Sequence, residues 1–501
     1  MAPNLDLDAY RSGAEAFIEA IDREYLLHLS GRKAELELAP IYGRHGELFT
    51  RPAVESLRSA AREASGEERR RRRFLLQFAF DGLLGEATKA EAEEAARLEV
   101  SLEVAVDGRE VPYRQVPVEQ ANEADGGVRE QLELGRNALL AERLNPIHLR
   151  ALERAHELCR ELGWQSYADA YADLRGIDFG ALAESTDALL AATENAYAPA
   201  VDPRLDEASL PRLGSLRRSD MPRFFRAPEL DRGFPADRLV PSLGETLAGL
   251  GVDLATQAGV HVDTEPRPSK SPRAFCAPVR VPDEVHLVIS PVGGRDDFAA
   301  LFHEAGHTEH YACTERSLAF EFRHLGDNAV TESFAFTLEH LTEDPEWLRA
   351  RLGIGDPEPV VAHASAVRLV MLRRYCAKLR YERELHGAGA DPATMADRYA
   401  GLLGVATRVA WPTESWLADV DPAFYVACYL RAWALEAIWR EALRERFGAR
   451  WFERAEAGRW LGGLWAQGQR LEAEELVAET LGRELSFEPL TRELVGTVPA
   501  G

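Results

Sequence analysis

The stretch Leu301–Tyr311, LFHEAGHTEHY, constrains this chain more than any other. It carries His303, Glu304 and His307 in the pattern H-E-x-x-H. On a helix, residues four apart share a face at a separation of about 6 Å, so both imidazoles can reach one small cation. Zinc accepts neutral imidazole nitrogens at about 2.0–2.1 Å. Glu304 follows the first histidine and leans over the same site, where it can take a proton from a metal-activated water. The surroundings predict a true helix: Asp296 and Asp297 can cap its start, and Phe298, Leu301, Phe302 and Ala305 give it an apolar face. Gly306 lowers helix propensity by about 1 kcal/mol relative to alanine. Its presence predicts a neighbour so close that no side chain fits.

A hydrolytic zinc site needs a third protein ligand and an open fourth position. His310 lies on the same helical stripe, but seven residues rise about 10.5 Å, too far for His303 and His310 to share one ion. The longer motif H-E-x-x-H-x-x-G-x-x-H also fails, because Cys313 occupies its last position. The third ligand must come from another element. Glu332, in DNAVTESFAFTLEHL, is the leading candidate. Asp327 or Asn328 can cap a helix there, with Val330, Phe334, Leu338 and Leu341 burying one side. Spacing alone leaves Glu309, Glu315, Glu321 and Glu339 as rivals.

Composition narrows the class. With 501 residues, 46% of them apolar, the chain can bury a large core in one or two lobes. Lys and Arg number 59 against 83 Asp and Glu, a net charge of −24, which argues against nucleic acid and anionic membranes as partners. Five scattered cysteines without a C-x-x-C pair point to neither a disulfide framework nor a cysteine zinc knuckle. The acidic start MAPNLDLDAYRSG lacks the apolar core of a signal peptide, and nothing approaches the roughly 18 apolar residues of a membrane span. The expectation is a soluble, cytoplasmic protein.

Helical periodicity dominates the chain and predicts a mainly α fold. The run Arg69–Arg73 follows Glu67 and Glu68 at helical spacing, as on a solvent-facing helix that pairs its charges. Within Glu99–Val116, Val100, Leu102 and Val104 alternate before Asp107-Gly108, predicting a short hairpin. Asn145-Pro146 reads as a capped helix start, and Ala198–Arg226, rich in Pro, Arg and Asp, as a connection between lobes. A second, antiparallel hairpin is expected from Arg273–Val281 and Val285–Ser290, just before the histidine helix. Asp421 and Pro422 mark the start of a helix carrying Tyr425 and Tyr429 on one face.

H-E-x-G-H with a glutamate 25 residues beyond His307 resembles the thimet oligopeptidase and oligoendopeptidase F family of zinc peptidases. The preceding SKSPRAFCAPVRVP and VHLVISPVGGRDDFAALFHEAGH are similar to that family's Lys-containing loop, Ala-Phe-Cys strand and lead-in to the zinc helix. More distantly the pattern resembles the angiotensin-converting enzyme group. The likeness is specific over residues 251–341 and again near 421–443, and diffuse over the amino-terminal half.

The resemblance implies a two-lobed helical zinc-peptidase fold with a small antiparallel sheet beside the active-site helix and a deep substrate channel. An amino-terminal helical lobe would span residues 1–225 and the catalytic lobe 226–501. It implies one zinc ion on His303, His307 and Glu332, with Glu304 as general base, acting on short peptides. A phenol suits oxyanion stabilisation because it stays protonated at neutral pH. Tyr429, which ends the run FYVACY, resembles the family's tyrosine, and Tyr425 is the second choice. One departure stands out: Leu417 and Asp419 occupy the positions where both groups place a substrate-assisting histidine. No carboxylate-holding lysine is visible nearby, which favours an endo-acting oligopeptidase. The alternatives are a dipeptidyl carboxypeptidase-like enzyme, an aminopeptidase if an acidic group holds the free amine, or a degenerate zinc-containing peptide-binding protein.

Overall fold

A computed structural model describes residues 5–496. Helices hold 71% of the residues and strands 5%, so the fold is mainly α, as the periodicity predicts. The chain divides into two compact units, and each is discontinuous in sequence. The first comprises the residues up to Phe80, Glu229–Val361 and Arg431–Leu490; the second comprises Asp81–Pro228, Ala362–Leu430 and the residues from Thr491 on. The expected boundary at 225/226 falls close to one crossing, at Pro228/Glu229. The division itself differs from two consecutive lobes, because the first 80 residues join the unit that carries the histidine helix.

In the first unit, the helix Leu7–Leu29 is capped by Asp6, whose carboxylate accepts from the N–H groups of Asp8 and Ala9. The arginine run lies on the helix Gly66–Ala87 and is spent on carboxylates. Arg72 meets Glu68 at 2.8 Å, Arg70 meets Glu475 at 2.5 Å, and Arg73 meets Glu472. A large apolar core gathers Phe298, Leu301, Phe302, Val330, Phe334, Leu338, Trp439 and Trp465. Among the described residues this unit holds one sheet, three-stranded and mixed.

Five short strands occur among the described residues: β1 (Glu103–Val106), β2 (Arg109–Pro112), β3 (Val260–Asp263), β4 (Phe275–Arg280) and β5 (Glu284–Val288). β4 and β5 form the expected antiparallel hairpin, with a bulge between Ala277 and Arg280. The purely antiparallel expectation is corrected by β3, which pairs in parallel with β5 and gives the order β3-β5-β4. With only four residues, β3 is too short to show periodicity. β4 is thereby an edge strand, beside the histidine helix.

In the second unit, β1 and β2 form the hairpin, turning at Asp107 and Gly108 with φ of 49° and 77°. Both angles lie in the left-handed region that such a two-residue turn requires. Val100 belongs to the preceding helix Lys89–Ser101 rather than to β1, and is exposed. The expected connection at Ala198–Arg226 is also corrected. The helix Phe179–Glu207 runs through Pro199 and Pro203, because Tyr197, Val201 and Leu205 keep its buried face continuous. Asn145 does not cap a new helix: a π-helical turn, Leu140–Leu144, joins it to the helix before, and its amide bonds Glu414 O at 2.8 Å.

Candidate metal centre

The histidine helix spans Arg295–Cys313, with Phe298, Leu301, Phe302 and Ala305 buried as the spacing requires. Its cap differs from expectation. Gly294 holds the N-cap position, and Asp297 instead accepts from the N–H groups of Val292 and Gly293 at 2.7 and 2.8 Å. Asp231 Oδ1 takes the Arg295 N–H at 3.1 Å, satisfying one of the orphan donors of the first turn.

The glutamate helix spans Asn328–Glu339 and is capped by Asp327, which accepts from the Ala329 N–H at 3.1 Å. Asp327 is also a buried ion-pair partner of Arg431, at 2.8 Å, so the cap is fixed from a third helix. The two helices run antiparallel: His307 meets Thr331, Gly306 meets Ala335, and His303 meets Glu339. A Cβ on Gly306 would fall 2.5 Å from both Phe334 O and Ala335 Cα. That contact is with backbone, which cannot swing aside. The glycine therefore sets how closely the helices approach.

This approach brings Glu332 between the histidines. Its Oε2 lies 3.4 Å from His303 Nε2 and 3.7 Å from His307 Nε2. Among the described residues these three side chains form one group whose donor atoms all lie within 4.8 Å of one another. With bonds of about 2.0–2.2 Å, donors around a tetrahedral zinc sit about 3.3 Å apart. The two glutamate–histidine separations are close to that value, and no separation within the group exceeds 4.8 Å. The opposite ring nitrogens are already engaged: His303 Nδ1 with Glu339 Oε2 at 2.8 Å, and His307 Nδ1 with Thr331 Oγ1 at 2.8 Å. A neutral ring whose Nδ1–H donates to such a partner presents a bare Nε2 toward the centre. His303 and His307 keep 20% and 15% of their side-chain surface exposed, so one side of the group is open to solvent.

Two carboxylates dominate the electrostatics of the group. Burial alone would lower the His303 pKa, but Glu332 and Glu339 outweigh it and push it up to about 10. His307, deeper and beside the His303 charge, is pushed down to about 3. Without metal, the cluster therefore keeps one proton on His303, in answer to two carboxylates. Burial raises Glu304 to about 6, while the His303 charge and the Cys276 N–H hold it back. That N–H, from β4, donates to Glu304 Oε2 at 2.8 Å.

The rival glutamates are placed elsewhere. Glu309 is buried with Gln257 at 3.1 Å, Glu321 binds Arg11 at 2.6 Å, and Glu315 accepts from Ser317 at 2.7 Å. His310 packs on Phe334 and Tyr311, off the cluster. Glu339 engages His303 Nδ1 from outside the group of three; its signal in sequence is the seven-residue interval from Glu332, two helical turns along one face. Nothing in sequence marks Thr331 as the partner of His307.

Tyr425 and Tyr429 belong to the second unit, their rings 4.9 Å apart. Tyr429 also meets Tyr375 edge-on at 5.7 Å. Their helix begins at Tyr425 rather than at Pro422. Ala423 and Phe424 adopt positive φ, and Asp421 bonds Lys378 Nζ at 2.7 Å instead of capping. Asp419, at one of the two positions where the resemblance leads one to expect a histidine, is held by Tyr399 at 2.7 Å and by Arg374. Leu417 is buried. No helix among the described residues is long and apolar enough to cross a membrane. In comparison with known proteins, no family model matches the chain and no curated protein matches it.

Proposed function

We propose that this protein is a zinc-dependent metallopeptidase acting on short peptides, an oligoendopeptidase with one metal ion. The observation that carries the reading is the convergence of His303 Nε2, His307 Nε2 and Glu332 Oε2 on one point, with Glu304 following the first ligand in sequence. The likeness to the thimet oligopeptidase and oligoendopeptidase F family supports it.

Bound zinc would supply Lewis acidity and a water of lowered pKa. Glu304 is the residue that would take a proton from the attacking water and return it to the leaving amine. Because Oε2 is engaged by the Cys276 N–H, Oε1 is the oxygen left for that transfer. β4 pairs with β5 on one side only, and its other edge is the proposed strand for the peptide backbone. Main-chain pairing gives affinity without reading side chains, as broad peptide hydrolysis needs. The cellular site proposed is the cytoplasm.

The test combines metal analysis of the purified protein with an internally quenched peptide library. Wild type should carry about one zinc and cleave. Glu304→Gln should retain the metal and lose activity by about 10²–10⁴-fold. Equal activity in the two proteins, or cleavage indifferent to a chelator, would overturn the reading.

A further inference from the structure

The helix Leu7–Leu29 brings a carboxylate toward the same edge strand, and nothing in the proposed mechanism uses it. Leu26 packs with Ala277, Val279 and Val288 in a small apolar cluster. Glu19 Oε1 lies 3.9 Å from Arg280 Nε, at the end of β4. Asp22 sits between these anchors, three residues after Glu19 and four before Leu26, and so on the helical face laid along β4. The two charged residues that follow it are paired: Arg23 with Glu284 at 2.9 Å, and Glu24 with Lys33 at 2.7 Å. Asp22 has no hydrogen bond or ion pair among the described residues, and burial alone pushes its pKa up to about 7.

Its surroundings belong to the metal centre. The Asp22 charge is felt at Cys276 and at Tyr311. Cys276 supplies the N–H that holds Glu304, and the Tyr311 ring stacks along His307, with centroids 6.4 Å apart. A half-buried carboxylate without a counter-charge shifts toward its neutral form, and a cation brought against it restores the charge. Beside a strand edge proposed to receive peptide, a ligand is the available source.

We propose that Asp22 is a substrate-recognition residue whose carboxylate pairs with a cationic group of the bound peptide. That group is an amino-terminal ammonium or a lysine or arginine side chain. The assignment rests on the peptidase reading above, and deepens it by naming the substrate class. It also makes Asp22 the acidic group that an aminopeptidase mode would require.

Binding tests it without relying on turnover. Zinc-loaded Glu304→Gln protein is titrated with peptides in sets of four, one set for each position scanned, fluorescently labelled at the carboxyl end. They carry either lysine or norleucine at a position scanned through the sequence, and either a free or an acetylated amino terminus. The peptides bearing the recognised cation should bind at least about tenfold more tightly than the acetylated norleucine peptide. Adding Asp22→Asn should abolish that difference, whereas Asp22→Glu should keep it. A difference that follows the free amine identifies the terminus as the group held, and one that follows lysine identifies a side chain. Cation preference that survives Asp22→Asn, or none in the parent protein, would overturn the proposal. Should wild type cleave nothing while the preference and its loss are seen, the peptidase reading falls and the recognition role stands.

Discussion

At the scale of single residues, the candidate centre depends on which nitrogen each imidazole presents. Glu339 and Thr331 settle that by engaging Nδ1 of His303 and His307. Glu339→Ala removes the carboxylate from His303 Nδ1 and lets the ring turn. Partners of this kind are worth about 10–100-fold in metal affinity when lost. Zinc affinity measured by competition with a chromogenic chelator should fall by that factor, with Glu339→Gln intermediate because it can still accept the Nδ1–H. Unchanged affinity would mean that the His303 orientation is set by packing against Phe336 instead. The donors themselves were legible from H-E-x-x-H and a capped helix downstream. Thr331 was not, because a threonine beside a glutamate has no periodic signature, and its role appears only once two helices distant in sequence are laid together.

At the scale of elements, the centre is a joint between two antiparallel helices, and Gly306 is where they touch. Gly306→Ala places a methyl against the Phe334 carbonyl and the Ala335 Cα, so the helices must separate. Overpacking of this kind costs about 1–3 kcal/mol, and the same separation widens the gap between Glu332 and the histidines. Both melting temperature and zinc affinity should fall, although alanine is the better helix former; a rise in stability would show that the contact is loose. The other end of the glutamate helix is held by charge. Burial alone would raise the Asp327 carboxyl, but Arg431 and the N–H groups of Ala473 and Ala329 hold it below its ordinary range. A depressed folded-state pKa contributes stability that is complete above the unfolded value of about 3.9, and is lost as pH falls through the lower folded value. The melting temperature of wild type should therefore exceed that of Asp327→Asn by a constant margin above about pH 5, and the margin should shrink as pH drops below about 4. A margin independent of pH would assign the effect to the cap hydrogen bond alone. Asp327 as a cap was legible in sequence; its pairing with Arg431, a guanidinium that Glu474 also engages, was not, since those residues lie more than a hundred positions away.

At the scale of the whole molecule, helical content followed from periodicity, whereas the partition into units did not. Periodicity says which face of a helix is apolar and nothing about which other segment covers it. The helix Leu7–Leu29 illustrates the point: Phe17 and Leu26 mark a buried face, but only the structure shows that Leu26 packs on β4 and β5, some 250 residues later in the chain. Because the candidate ligands and their two helices lie in one unit, zinc binding should stabilise the molecule unevenly. At a free zinc concentration a hundred times its Kd, the gain for openings that destroy the site is about 2.7 kcal/mol, or about a hundredfold in the rate of exchange through such openings. Hydrogen exchange followed by mass spectrometry should therefore show Arg295–Cys313 and Asn328–Glu339 exchanging faster after treatment with a chelator. The β1–β2 hairpin, in the other unit, should change far less, because its local openings leave the three ligands in place. A uniform change across both units would mean that zinc acts on global unfolding alone. No change anywhere would mean that the three donors, however well spaced, do not hold an ion.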